Sequence, residues 1–191
     1  MTGVLASQQL KAMIADGRIS APAPIHREQI QPASLDLRLG TTAYRVRASF
    51  LSGAGRTVAE RLDEFEMHRI DLTGGAVLEK GCVYVVPLQE VLDLPSGVQA
   101  VANAKSSTGR LDLLTRAIPA GGDGFDRGAP GYAGPLDSES GPRSFSVLVR
   151  PGMRLNQVRF RAGQAMLDDA ALAALHAETP LVSGPALIDD G

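Results

Sequence analysis

Leu5, Leu10, Met13 and Ile14 fall on one helical face and Gly17 follows as a stop. That spacing predicts a short amphipathic helix over residues 5–16. Ala21-Pro22-Ala23-Pro24 breaks the period and opens an extended linker. Leu35, Leu37 and Leu39 then alternate with Asp36 and Arg38, the pattern of a half-buried strand ending at Gly40. Ala43-Tyr44-Arg45-Val46-Arg47 reads as its partner, and residues 52–66, without a clear period, read as loop. Further strands are expected at 67–72, 82–87, 98–104, 145–149 and 154–160. Between them, residues 121–134 carry Gly at 121, 122, 124, 128, 131 and 134. Such a long Gly-rich loop is usually functional or disordered. Leu167, Ala171, Leu172 and Leu175 share a face of a closing helix over 168–177, and the stretch after Thr179 reads as a tail or a truncated linker. Many short strands, with helices only at the ends, predict a mainly β fold, an antiparallel barrel or sandwich.

Composition narrows the function classes. The chain has 191 residues, enough for one domain with a sizeable core, or one domain and an appendage. A formal net charge of −2 argues against a nucleic-acid polymer as partner. Aromatics at 4% without Trp argue against a base-stacking platform. Cys82 is the single cysteine, which excludes an intramolecular disulfide and fits a reducing cytosol. No charged leader with an apolar core opens the chain, and no apolar run has the length of a membrane span. A cytoplasmic protein without a membrane partner is the expectation.

The candidate chemistry begins at Lys105-Ser106-Ser107-Thr108-Gly109-Arg110, set between two apolar runs. Hydroxyls and backbone N–H groups donate to phosphate oxygens, and an Arg fork binds two oxygens at once. The spacing is not that of a Walker A loop. Taken alone, such a cluster is most often a solvated turn or a helix N-cap.

Three other stretches change the odds: Ile30-Gln31-Pro32-Ala33-Ser34-Leu35-Asp36-Leu37-Arg38-Leu39-Gly40, Gly131-Tyr132-Ala133-Gly134-Pro135-Leu136-Asp137-Ser138-Glu139, and Pro151-Gly152-Met153-Arg154-Leu155-Asn156-Gln157-Val158-Arg159-Phe160. With the Lys105 segment, in this order, they resemble the dCTP deaminases of the dUTPase-like superfamily over most of residues 1–162. The likeness is greatest to the N-terminal half of a long tandem-domain bacterial form. The resemblance implies a dUTPase-like distorted β-barrel or jelly roll over residues 1–165, with residues 166–191 as C-terminal helix and tail or truncated linker. It also implies a homo-oligomer, usually a trimer, with active sites between subunits. The nucleotides dCTP, dUTP and dTTP are the implied ligands. Ser106, Ser107 and Arg110 would contact the triphosphate, with Lys105 nearby and Mg2+ bridging phosphate oxygens. Gln157 would lie near the nucleotide, Tyr132 would pack on the deoxyribose or be an ordinary loop aromatic, and Glu139 would be the catalytic carboxylate.

Hydrolytic deamination of cytosine needs water to attack C4, and protons delivered to N3 and to the departing ammonia. One carboxyl facing both can perform these transfers, best with its pKa raised towards neutrality by burial. Zinc deaminases carry H-x-E…P-C-x-x-C instead. His176-Ala177-Glu178 matches only the first part and no P-C-x-x-C exists, so no zinc is expected. Asp137 falls on the same strand face as Glu139, as a second acid or a solvated one. Asp36 is read as structural, and His26 and His68 as without a role.

The chain also departs from the family pattern. The stretch 120–130 is longer and richer in Gly. Ala129 stands where a dUTPase places the Asp that orients water, unless Asp126 takes that place. No C-terminal arm covers the triphosphate, which would leave water in the site. The expectation is zinc-independent deamination of dCTP to dUTP and ammonia in pyrimidine deoxynucleotide (dUMP/dTTP) biosynthesis. The alternatives are dUTP diphosphatase activity and a non-catalytic, nucleotide-binding half of a two-domain deaminase.

Overall fold

Two antiparallel sheets enclose one apolar core in a computed structural model that describes residues 2–184. In chain order, β1 (Gly3–Val4) and α1 (Ser7–Ala15) precede β2 (Ile19–Ser20), β3 (Leu35–Arg38), β4 (Thr42–Val46) and α2 (Val58–Phe65). Then come β5 (Glu66–Asp71), β6 (Ala76–Leu78), β7 (Val83–Asp93), β8 (Val98–Ala104) and α3 (Ser106–Arg110). β9 (Leu113–Pro119), β10 (Arg127–Gly128), β11 (Ala133–Pro142), β12 (Val147–Val149), β13 (Arg154–Ala162) and α4 (Asp169–Glu178) complete it. In the first sheet β13 lies between β8 on one side and β1 and β3 on the other, with β10 beyond β8. The second runs β5-β4-β7-β11-β9, with β2 also on β7. β6 and β12 form a separate ribbon. Leu35, Leu37, Val158 and Phe160 from the first sheet meet Tyr84, Val86, Leu113 and Leu136 from the second. The mainly β expectation therefore holds.

Several local readings change. β3 is not half-buried: Asp36 and Arg38 are buried like the leucines they alternate with. Arg38 Nε donates to Glu90 Oε1 at 2.7 Å, and its two terminal nitrogens donate to the carbonyls of Pro24 and Ala23. The Pro-rich linker thus covers the polar face of β3. β3 pairs with β13, and the Tyr44 strand pairs with β5 and β7 instead. The reason is the crossover at Gly40, whose N–H donates to the Pro87 carbonyl at 2.8 Å as the chain passes to the other sheet. A Cβ on residue 40 would lie 2.7 Å from that oxygen, so only glycine fits.

Residues 52–66 are not all loop, because α2 lies within them. Thr57 Oγ1 accepts from Glu60 N while the Glu60 carboxylate accepts from Thr57 N, a capping box. Val58 and Leu62 turn inward and join Val46, Phe50, Val85 and Ile118 in a second small core on the outer face of the second sheet. The 121–134 stretch is pinned rather than free. Asp126, at φ 64°, holds Ala117 through both backbone and side chain, and the Tyr132 hydroxyl bridges Ala120 N and the Pro135 carbonyl. α4 forms with Asp168 as its cap, but it closes nothing: none of its residues is buried. The expected tail from 185 onward lies outside the described residues.

Candidate active site

Lys105 leaves β8 and begins the single turn of α3. Thr108 is the turn's buried hydroxyl, and its Oγ1 donates to the Leu155 carbonyl at 3.0 Å, clamping α3 onto β13. That clamp leaves Ser106, Ser107 and Arg110 exposed to solvent. Lys105 and Ser107 line a cleft of about 620 Å³ with Arg150, Pro151, Gly152, Met153 and Arg154. Beneath it sits Asp36, 1% exposed, with its Oδ2 paired to Lys105 Nζ and 3.9 Å from Arg154 Nη1. Its Oδ1 is buried with no hydrogen-bond partner among the described residues. The structural role of Asp36 is thus to fix the cations at the cleft floor. Arg150 and Arg154 were missed from sequence, although two arginines flanking a Pro-Gly turn were a readable clue. Gln157 stands opposite Asp36 on β13 and accepts from Ser34 Oγ at 3.1 Å, beside the cleft rather than in its lining.

Glu139 lies in β11, between β7 and β9, opposite Val85 and Arg116. It is 4% exposed. Arg116 Nη2 donates to Glu139 Oε1 at 2.5 Å and to Ser49 Oγ at 3.1 Å, and the guanidinium stacks 3.7 Å over the Phe125 ring. Glu139 Oε2 is buried without a hydrogen-bond partner among the described residues. The second core roofs this face, with Phe50 stacked on Phe65. Three bonds latch the roof to the loop after β9: Ser52 Oγ to the Pro119 carbonyl, Gly53 N to the Gly122 carbonyl, and Gly121 N to the Arg56 carbonyl. Residues 50–65 thus shield the carboxylate, although none of them lines the cleft at Lys105.

Asp137, two residues earlier, shares the face and is not solvated. It is 7% exposed, and burial pushes its carboxyl up to about 7. The acid moved towards neutrality by burial is therefore Asp137, whereas Glu139 is ion-paired. Polar side chains fill the opposite face of β11 as well: Ser138 Oγ donates to Asn156 Oδ1 at 2.7 Å and lies 3.3 Å from Ser140 Oγ.

The predicted residues thus fall into two groups. Lys105 and Ser107 share a cleft with Arg150 and Arg154, and Glu139 is not among its lining residues. Tyr132 packs against the main core with its hydroxyl committed to the loop. Asp126 is committed too, its Oδ1 accepting from Ala117 N at 2.7 Å.

The sequence matches the family described as the 2'-deoxycytidine 5'-triphosphate deaminase (DCD) N-terminal domain over residues 1–164. It is 32% identical over 141 residues to a protein of Coprothermobacter proteolyticus named "dCTP deaminase, dUMP-forming", covering 72% of this chain and 70% of that one. It is 27% identical over 160 residues to the "dCTP deaminase" of Natronomonas pharaonis, covering 82% of this chain and 79% of that one. The fold is similar to the crystal structure of a 2'-deoxycytidine 5'-triphosphate deaminase from Agrobacterium tumefaciens, at a TM-score of 0.91 and 48% identity. That match covers 98% of this chain and 56% of the other, so the chain spans a little over half of its length.

Proposed function

The chain belongs to the 2'-deoxycytidine 5'-triphosphate deaminase family, and we propose that it hydrolyses dCTP at C4 of the cytosine ring, giving dUTP and ammonia. The observation that carries this reading is Glu139: a carboxylate under an apolar roof, one oxygen held by Arg116 and the other without a partner among the described residues. A buried acceptor of that kind is costly unless a ligand completes it.

Lys105, Arg150 and Arg154 give the cleft a surplus of positive charge over Asp36, and Ser106, Ser107 and Arg110 add exposed donors beside it. These groups suit a triphosphate. A magnesium ion carried by the phosphates would neutralise charge there. It needs few protein ligands. With a single cysteine, the reading is a zinc-independent one. The cleft and Glu139 occupy different sheets of one chain. A trimer in which one subunit's Ser106, Ser107 and Arg110 meet the next subunit's Glu139 would complete the site, with Gln157 and Tyr132 as nucleoside neighbours. No helix among the described residues is long and apolar enough to cross a membrane. The enzyme is read as a cytoplasmic one supplying dUTP for dUMP and dTTP synthesis.

The product is assigned as dUTP rather than dUMP because Ala129 cannot orient a water for phosphate cleavage and Asp126 is engaged with Ala117. Incubation with dCTP should release ammonia and dUTP without pyrophosphate, and Glu139→Gln should abolish that release. Ammonia release that survives Glu139→Gln sinks the role given to Glu139, and binding of dCTP without turnover would make the chain a non-catalytic half.

A further inference from the structure

Two carboxyls, not one, line the roofed face of β11. Asp137 and Glu139 alternate with Ser138, so their side chains point the same way, about 7 Å apart along the strand. No bulge separates them, since the irregularity in β11 lies between Pro135 and Asp137. Their surroundings differ. Glu139 has Arg116 opposite it. Asp137 is nine-tenths buried, sits opposite Ile118 on β9 and Pro87 on β7, and makes no described hydrogen bond or ion pair. Around it, the Tyr132 phenol lies on its own loop, Arg116 is engaged with Glu139, and Asp126 lies near Arg116. The roof's Arg47 and Arg61 are spent on the Phe65 ring. Among the described residues no cation pairs with Asp137, and burial keeps it protonated to about pH 7. Exposure along β9 grows from none at Ile118, opposite Asp137, to 47% at Leu114, opposite Gly141, so this face opens at the Leu114 end, with Glu139 nearer the opening and Asp137 deeper.

We propose that Asp137 is a second catalytic carboxyl: Glu139, paired with Arg116, takes the proton of the attacking water, while Asp137 supplies one to the ring nitrogen. The inference rests on reading the chain as a dCTP deaminase. As the C4–O bond forms, one water proton passes to Glu139 and the Asp137 proton passes to N3. Glu139 then gives its proton to the amino group, the C4–N bond breaks, and the remaining O–H proton returns to Asp137. Both carboxyls end as they began, and the two protons gained by N3 and by ammonia both come from water. Two carboxyl groups in contrasting environments are the arrangement that separates acid from base.

The test is the pH–rate profile of the full chain with dCTP, from about pH 6 to 9, reading ammonia. Wild-type kcat should fall as pH rises through about 7, where Asp137 loses its proton. Asp137→Asn should lower kcat on the order of 100-fold, remove that alkaline limb and leave the dCTP KM within about threefold. An Asp137→Asn variant with undiminished kcat overturns the proposal. So does a wild-type profile that stays flat over this range, which decides the matter even if the variant does not fold. A wild-type chain that releases no ammonia overturns the functional reading and this inference together. An active wild type with an indifferent Asp137→Asn overturns this inference alone.

Discussion

Glu90 is fully buried, and its carboxylate gathers three donors: Gln29 Nε2 at 2.8 Å, Arg38 N at 2.8 Å and Arg38 Nε at 2.7 Å. Glu90→Gln keeps the volume but removes the charge, and it turns one acceptor oxygen into a donor facing donors. Breaking one side of a buried pair typically costs 3–5 kcal/mol, because the partner charge stays buried. Arg38 keeps its bonds to the Pro24 and Ala23 carbonyls, which points to the lower end, about 3 kcal/mol. With a urea slope of roughly 1–3 kcal/mol per molar, the unfolding midpoint should drop by about 1–3 M. Asp93→Asn is the control, since the Arg18–Asp93 pair is largely in water and should be worth under about 1 kcal/mol. The double variant Arg38→Met with Glu90→Met should recover most of the loss, since an apolar pair leaves no charge stranded. A Glu90→Gln midpoint no lower than that of Asp93→Asn would refute the reasoning.

Arg150→Ala removes a cation with no acidic partner among the described ion pairs, and should raise the dCTP dissociation constant roughly tenfold or more, with little change in unfolding midpoint, by isothermal titration. Asp137, with its carboxyl raised to about 7, favours folding fully below its unfolded value of 3.8. That contribution disappears as pH rises through 7, so stability from this group should decline between those values by at most about 4 kcal/mol. Urea unfolding of Asp137→Asn should show that slope removed. Thr57→Ala deletes the α2 cap and should cost about 1 kcal/mol, with faster amide exchange confined to residues 50–65 if the roof opens locally.

Apolar periodicity revealed most of the frame, because β8, β13 and α1 each bury one face and expose another. It failed where both faces are covered. β3 alternates leucine with Asp36 and Arg38, and only the linker and Glu90 make those polar positions internal. β11 has almost no apolar residues, since Glu139 is paired across the sheet and Ser138 is paired across the core. No rule of alternation finds such a strand. The α2 helix was legible in principle, because Thr57-Val58-Ala59-Glu60 spells a capping box, but one turn of apolar pattern is too short to stand out. Phosphate chemistry could be read in Lys105, Ser106, Ser107 and Arg110 because it depends on residue type. The tie between Asp36 and Lys105 could not, because 69 positions separate them.

The roof and the Gly-rich loop after β9 were the two stretches that pattern could not interpret, and the latch between them explains why. Each supplies the other's missing partners: Ser52, Gly53 and Arg56 meet Pro119, Gly122 and Gly121. Neither can be shortened or transplanted alone without stranding carbonyl or amide groups at the joint. A homologue that lacks one is expected to lack both, and a chimera should exchange residues 50–65 and 119–126 as a unit.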